Sequence, residues 1–464
     1  MRTLTRHEVL AAYPAKEMLL YGHWIIPMYA GIPRTAKPPG MNWLLAGLMK
    51  ISGSESEFIL RLPSALSGVA TALMIASFAA RHYGRRIAIV SALIVLTSVY
   101  VLVQARLAES DMLLVALVTA AMLIFASGPV VTAENASTSS IKFRDQLFAW
   151  QPINFYIVTG LTFLLKGGVG CAFILSGTII YAAIQRDRRA AWFLLNPIGI
   201  VLFLALIAVW PVLAYLKYPA IVDSWRFEQV GRLTGERGSN PFYFYFYSIP
   251  GSLLPWTPLM LVPAWMGLKH HLYRRPINRF FLCWFIPGVI LLSLSSFKHQ
   301  HYAFPLLPPA AILAAVGLLQ LIEHQRRFIA QAATIFAIAW IIPVLIQIVV
   351  IPKVDDYKLD ADLARSANNI VPTGQTIFII DPQPQVEPHS AWYLRQPIRR
   401  FRDVSDFLGN VPAEAGQSVY VITNTPQSNT MAQHGAVEIL ERCKTNPTTG
   451  KTRDLILVSY VPKR

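Results

Sequence analysis

Four short stretches collect the side chains able to do chemistry. The first runs from His7-Glu8 through Glu17-Met18 and Gly22-His23-Trp24 to Lys37-Pro38-Pro39, Asn42-Trp43-Leu44 and Arg61-Leu62-Pro63-Ser64. The second is Arg106 to Met112, holding Glu109 and Asp111, and the third is Leu165-Lys166-Gly167-Gly168-Val169-Gly170. The fourth is Lys298-His299-Gln300-His301-Tyr302, followed by Pro305 and Pro308-Pro309. Carboxylates such as Glu8, Glu17, Glu109 and Asp111 can deprotonate an acceptor hydroxyl. Cations such as Lys37, Arg61, Lys166 and Lys298 can hold a phosphate and neutralise the charge that grows as it departs. Acids facing bases in this way suit a reaction with a phosphate leaving group.

The elements that must position these stretches follow from composition. Hydrophobic residues make up 54% of the 464 positions and charged residues 14%, against about 25% charged in an ordinary soluble domain. Mean hydropathy is +0.44. This excludes a soluble globular protein, a disordered chain and a collagen-like fibre. Cys171, Cys283 and Cys443 are the only cysteines; they show no metal-ligand spacing, and an odd count argues against a disulfide framework. The reading is an α-helical polytopic membrane protein with about ten spans, at about 20 residues each. They lie near 61–80, 87–105, 111–127, 151–165, 169–185, 192–216, 243–268, 278–296, 302–323 and 329–351.

The formal charge of +16 points first to nucleic acid, but its distribution excludes that partner. Arg81, Arg85 and Arg86, then Arg186, Arg188 and Arg189, then Lys269, Arg274 and Arg275, then Arg326 and Arg327 all occupy short connectors between apolar runs. With Lys142 and Arg144 of the 128–150 loop they fall on one side of alternating spans, as retention of basic residues in the cytoplasm requires. The four chemistry-bearing stretches then lie at the outer ends of the spans. Ionisable groups at membrane depth are costly and so are functional candidates. Residues 1–60 form a first extracytoplasmic loop with interfacial helices, 61–352 a transmembrane domain, and 353–464 an extracytoplasmic α/β domain. That last domain is read from the runs Thr376–Ile380, Ser418–Ile422 and Leu455–Ser459, a helix over Leu359–Asn369 and intervening turn residues. No signal peptide precedes the first loop, and the expectation is an upstream helix missing from this chain.

The quoted residues resemble those of the membrane glycosyltransferases that include the bacterial aminoarabinose transferase (ArnT) and the protein O-mannosyltransferases (PMT). Glu17-Met18, Gly22-His23-Trp24, Lys37-Pro38-Pro39, Trp43-Leu44 and Arg61-Leu62-Pro63 are similar to the family's first outer loop. Asp111-Met112, Lys166 to Gly170, and Lys298 to Pro309 are similar to its later motifs, as are Pro241 to Tyr245 and Leu254-Pro255-Trp256. The resemblance implies a GT-C fold and a polyprenyl-phosphate-linked sugar as donor. It implies hexosyl or pentosyl transfer to a lipid (lipid A-like) or protein acceptor on the outer face of a bacterial-type inner membrane.

In that register the family's catalytic Asp falls on His7 and its partner Glu on Glu8. Glu8, His7 and Asp111 become the catalytic candidates, and Lys37, Arg61, Lys166, Lys298 and Tyr302 the donor-phosphate candidates. Ala36 stands where some relatives carry a metal-ligating acid, and Gly168 replaces a proline. The sequence requires no cofactor and reads no metal-ligand set, while a divalent metal remains compatible with it. Blander roles exist for each residue: Asp111 as a helix cap, Lys37 as a snorkelling flank, Glu8 as a solvated acid. Two other classes stand beside the enzyme, a catalytically degenerate scaffold for envelope glycan assembly and a secondary transporter. The transporter would need paired Gly or Pro interruptions in two matching halves, and these are not seen.

Overall fold

A computed structural model of the protein describes residues 3–134, 148–186, 188–234, 238–254, 256–257, 272–324, 357–380, 389–411, 417–445 and 454–463, with isolated positions between 341 and 350 and at 450. The chain divides into two compact units, each built from separated segments. One comprises Thr35–Met41 and Arg61–Val344; the other comprises Met1–Arg34, Asn42–Leu60 and Leu345–Arg464.

The first unit is helical. Among the described residues, six helices are long and apolar enough to cross a membrane: Glu57–His82, Ser110–Glu134, Gly168–Gln185, Pro197–Lys217, Pro276–Leu294 and Gln300–Leu319. A seventh, Trp150–Lys166, has 17 residues, one fewer than the shortest of these. The run expected at 87–105 is helical in two pieces, Arg85–Thr97 and Val99–Gln104, because Ser98 takes an extended conformation between them. The 192–216 run is likewise divided. Asn196 caps a fresh helix by accepting from the Gly199 amide at 2.7 Å, and Pro197 supplies a preset first turn. Of 243–268 only Phe244–Ser252 is a described helix. Most of the 329–351 span, and Lys142, Arg144, Lys269, Arg326 and Arg327, lie outside the described residues.

Packing in this unit centres on interlocked aromatic rings. Phe125 meets Phe155, Tyr181, Phe193 and Phe280 at centroid distances between 5.3 and 6.1 Å. All five rings are buried. Lipid tails are as apolar as these side chains, so the gain is van der Waals complementarity rather than escape from water.

The second unit joins the N-terminal segment to the C-terminal sheet. Helix α1 (Arg6–Tyr21) opens with a capping box, Thr5 accepting from the Glu8 amide and Glu8 from the Thr5 amide at 2.7 Å. Two-stranded β1–β2 (Met28–Tyr29, Ile32–Pro33) packs against it, with the Tyr13 and Tyr29 rings 5.0 Å apart. The C-terminal part carries helix Tyr357–Ile370 and a five-stranded sheet in the order β4-β3-β5-β7-β6. Its strands are β3 (Ile377–Ile380), β4 (Ile398–Phe401), β5 (Val419–Thr423), β6 (Gly435–Arg442) and β7 (Ile456–Pro462). The three strand runs and the helix read from sequence are all present. A turn at His389–Tyr393 ties this part to the N-terminal segment. Tyr393 Oη accepts from the Leu4 amide at 2.9 Å and donates to Glu57 at 3.3 Å, and Lys16 lies 5.4 Å over the Trp392 ring while pairing with Glu55 at 2.7 Å.

Candidate active site

Gly167 sets the geometry of the helical unit's polar end. Its φ of +73° ends helix Trp150–Lys166 and starts Gly168–Gln185 within one residue, a conformation that a side chain would strain. Lys166 therefore sits at the very tip of its helix, level with the start of Ser110–Phe125. There its ammonium pairs with Asp111. Both side chains are nearly closed to solvent, at 6% and 8% exposure. Burying two charges is costly, so their mutual attraction and their other contacts must offset the lost hydration. Asp111 does not act as the cap of its helix: Glu109 holds that position, and its side chain makes no capping bond.

An aromatic and imidazole wall completes the pair's surroundings. Lys166 Nζ lies 5.3 Å over the Tyr302 ring, a cation–π arrangement. The His301 ring packs edge-on to Tyr302 at 4.7 Å and stacks on His299 at 5.1 Å. His301 and Lys37 are both within electrostatic reach of Asp111. The exposed Lys37 is carried on the Thr35–Pro39 loop, which is docked at two points. The Trp225 indole donates to the Thr35 carbonyl at 3.0 Å, and Gly40 approaches helix Trp150–Lys166 so closely that a Cβ would lie 2.4 Å from the Leu164 carbonyl oxygen. Lys37 and Lys166 are thus held by contacts one to three residues away from each.

Asp111, Lys166, Tyr302 and Lys37 are brought together from the four stretches singled out in the sequence. Arg61 stands half-buried near the start of helix Glu57–His82, three residues before Ser64, whose hydroxyl donates to the Glu109 carbonyl at 3.0 Å. Lys298 is buried, and its ammonium donates to the Asn240 carbonyl at 3.0 Å while Asn240 Nδ2 returns a bond to the Lys298 carbonyl at 3.1 Å. This clamp fixes the strand of chain leading into His299–Tyr302. Glu8 and His7 belong to the other unit. Glu8 is fully buried with its carboxylate in the capping box, and His7 is exposed.

Three contributors were not assigned roles from sequence. His301 lay within a quoted stretch, one residue from Tyr302, and its proximity was the available signal. Asn240 and Trp225 gave none, since each acts through a backbone carbonyl. Glu17, named from sequence, is a buried carboxylate in the second unit: burial pushes its carboxyl up to about 7, against the opposing backbone hydrogen bonds of Gly31 and Ala30. Its Oε2 has no hydrogen-bond partner among the described residues. Among the described residues no cluster of three His, Cys, Asp or Glu could hold a metal ion.

Comparison with known proteins gives this geometry a context. Residues 36–215 match the family model of dolichyl-phosphate-mannose-protein mannosyltransferases. The undecaprenyl phosphate-α-4-amino-4-deoxy-L-arabinose arabinosyl transferase 2 of Proteus mirabilis is 28% identical over 311 residues, covering 65% of this chain and 53% of that protein. The corresponding transferase of Pseudomonas savastanoi pv. phaseolicola is 27% identical over 324 residues, covering 69% and 58%. The chain thus spans a little over half the length of these curated relatives. The crystal structure of ArnT from Cupriavidus metallidurans bound to undecaprenyl phosphate superposes with a TM-score of 0.78 at 18% identity, covering 99% of this chain and 94% of that one. The oligosaccharyltransferase of Archaeoglobus fulgidus in its apo form is more distant, with a TM-score of 0.52 at 14% identity, covering 92% and 66%. Motifs, family model and fold converge: the chain is a multi-pass membrane protein that is similar to the ArnT-like and PMT-like transferases and has the GT-C fold.

Proposed function

We propose that the protein is a glycosyltransferase that moves a sugar from a polyprenyl-phosphate donor to a lipid A-like acceptor, or to a protein, on the outer face of the bacterial inner membrane. The names of the relatives favour undecaprenyl phosphate as the carrier and an amino-pentose as the sugar. The observation that carries this reading is the buried Lys166–Asp111 pair beside Tyr302 and Lys37, at the polar ends of apolar helices.

In the reaction the bond between the anomeric carbon and the phosphate oxygen breaks, and a bond to the acceptor oxygen forms. The electron pair leaves with the polyprenyl phosphate, which gains one negative charge. Lys37 and Lys166 are placed to take that charge, and a preorganised cation in a water-poor site is worth about 10²–10³ in rate. Tyr302 supports Lys166 through its ring face. Arg61 and Lys298 lie on flanking segments; Lys298 acts by holding the His299–Tyr302 turn. For a hydroxyl acceptor Asp111 is the better-placed base, since the Glu8 carboxylate is engaged in capping α1. An acceptor phosphate is already anionic and needs only positioning. The one-sided distribution of the basic connectors supports an extracytoplasmic C-terminal α/β part.

The test supplies proteoliposomes with undecaprenyl-phosphate-linked aminoarabinose and lipid A. Wild-type transfer that falls about 100-fold in Lys37→Ala and Lys166→Met, with Glu8→Gln little changed, is the expected result. No transfer from any polyprenyl-phosphate sugar by folded, inserted protein would favour the scaffold role instead.

A further inference from the structure

A second site lies at the far end of the same helices. The candidate active site lies at the helix ends marked by Asp111 and Lys166, with Ser64 on the neighbouring helix bonded to the Glu109 carbonyl. Arg81 follows Ser64 along its helix by roughly 25 Å, Ser127 follows Asp111 by roughly 24 Å, and Gln151 precedes Lys166 by roughly 22 Å, at about 1.5 Å per residue. Between these three distant ends is a cavity of about 450 Å³, within the usual range for a ligand pocket.

The cavity is divided by polarity. Leu73, Phe78 and Leu123 form an apolar slot, and Leu73 is 61% exposed, so the slot opens sideways toward hydrocarbon. At its mouth stand Ser77, Arg81, Ser127, Gln151 and Asn154. All five are exposed, and none has a side-chain hydrogen bond or ion pair among the described residues. The other nearby charge is mostly basic: Arg85 and Arg86 follow three and four residues after His82, while the Glu134 carboxylate is already paired with Arg275 at 2.8 Å.

We propose that this cavity binds one anionic glycerophospholipid. Its acyl chain lies in the Leu73–Phe78–Leu123 slot, and its phosphate sits on the Arg81 guanidinium, whose planar fork matches phosphate oxygens. Gln151, Asn154 and the two serines hydrogen-bond the glycerol and headgroup hydroxyls. Basic pockets between spans at the cytoplasmic end are where anionic headgroups concentrate. A choline headgroup would set its own cation against Arg81. A polyprenyl-phosphate donor carries its phosphate to the opposite end of these helices. The site is independent of the transfer reaction.

The test reconstitutes the full-length protein in bilayers with trace photoreactive phosphatidylglycerol, phosphatidylcholine or undecaprenyl phosphate, and maps the cross-links by mass spectrometry. Phosphatidylglycerol should label 73–81 and 120–127 about fivefold more than phosphatidylcholine, the factor expected for one interfacial arginine. Arg81→Gln should reduce it to the phosphatidylcholine level. Leu73→Trp, filling the slot from its exposed side, should reduce it with Arg81 intact. Equal labelling by the two phospholipids overturns the proposal, as does indifference to both substitutions. So does preferential labelling by the undecaprenyl phosphate probe, which would give the slot to the donor's tail.

Discussion

Lys166→Met strips the ammonium while keeping an apolar side chain of similar length at the tip of its helix. The Asp111 carboxylate would then be left at 8% exposure without its ion-pair partner. Removing one member of a buried pair costs about 3–5 kcal/mol; Lys37 and His301, both in reach of Asp111, bring the expected loss to the lower end. Asp111→Asn should cost less, because Lys166 keeps the Tyr302 face at 5.3 Å, a contact worth about 0.5–2 kcal/mol. The double variant removes both charges, and replacing a whole buried pair is often close to neutral. Its stability should return to within about 1 kcal/mol of wild type. Thermal and denaturant unfolding of the purified protein gives the stability arm, and transfer in proteoliposomes gives the other. Transfer should stay about 100-fold down in the double variant. The reasoning fails if Lys166→Met is as stable as the double variant, since the pair would then not be coupled. Recovery of transfer in the double variant would remove Lys166 from the phosphate site.

Three further outcomes follow from the geometry. Glu17 titrates at about 7 in the fold against 4.5 ordinarily; a carboxyl raised in this way favours the folded state below 4.5, and that advantage is lost as pH climbs to 7. The N-terminal unit should therefore melt at a lower temperature at pH 8 than at pH 5, by at most about 3 kcal/mol, and Glu17→Gln should flatten the profile. Trp225→Phe should raise the donor KM several-fold at nearly constant kcat by freeing the Lys37 loop, whereas Gly40→Ala, with 2.4 Å of room, should damage both; steady-state kinetics separates them. Tyr393→Phe removes the hydroxyl shared by Leu4 and Glu57 and should cost about 1–2 kcal/mol, read as a lower melting temperature.

Much of this architecture was legible because the bilayer imposes length and polarity on each segment. The described helices fell mostly where 20-residue apolar runs predicted them, and the breaks at Ser98 and Asn196 were missed because hydropathy averages across an extended residue. In the C-terminal sheet the three strands read from sequence, β3, β5 and β7, are its three interior strands. The two missed strands are its edges. Arg399, Arg400, Glu438 and Glu441 interrupt their apolar pattern, as suits strands that must resist further pairing. In the site, Asp111 and Lys166 were each visible as a charge ending an apolar run, but their pairing depends on how two helices dock. Thr5-x-x-Glu8 carried the spacing of a capping box, so the Glu8 arrangement was written locally. Asn240 and Trp225 bind carbonyls, which no side-chain pattern encodes.

The N-terminal segment's tie to the His389–Tyr393 turn has a consequence for synthesis. The bond from Leu4 to Tyr393 spans 389 residues, and at about 5–20 residues per second a ribosome needs roughly 20–80 s to supply the second partner. Through that interval the helices of the other unit can insert and pack, while α1 and the first loop wait half-built. Assembly therefore runs helix by helix in one unit but end-to-end in the other. Any agent acting on the nascent loop, a chaperone or a protease, has that whole interval in which to find it.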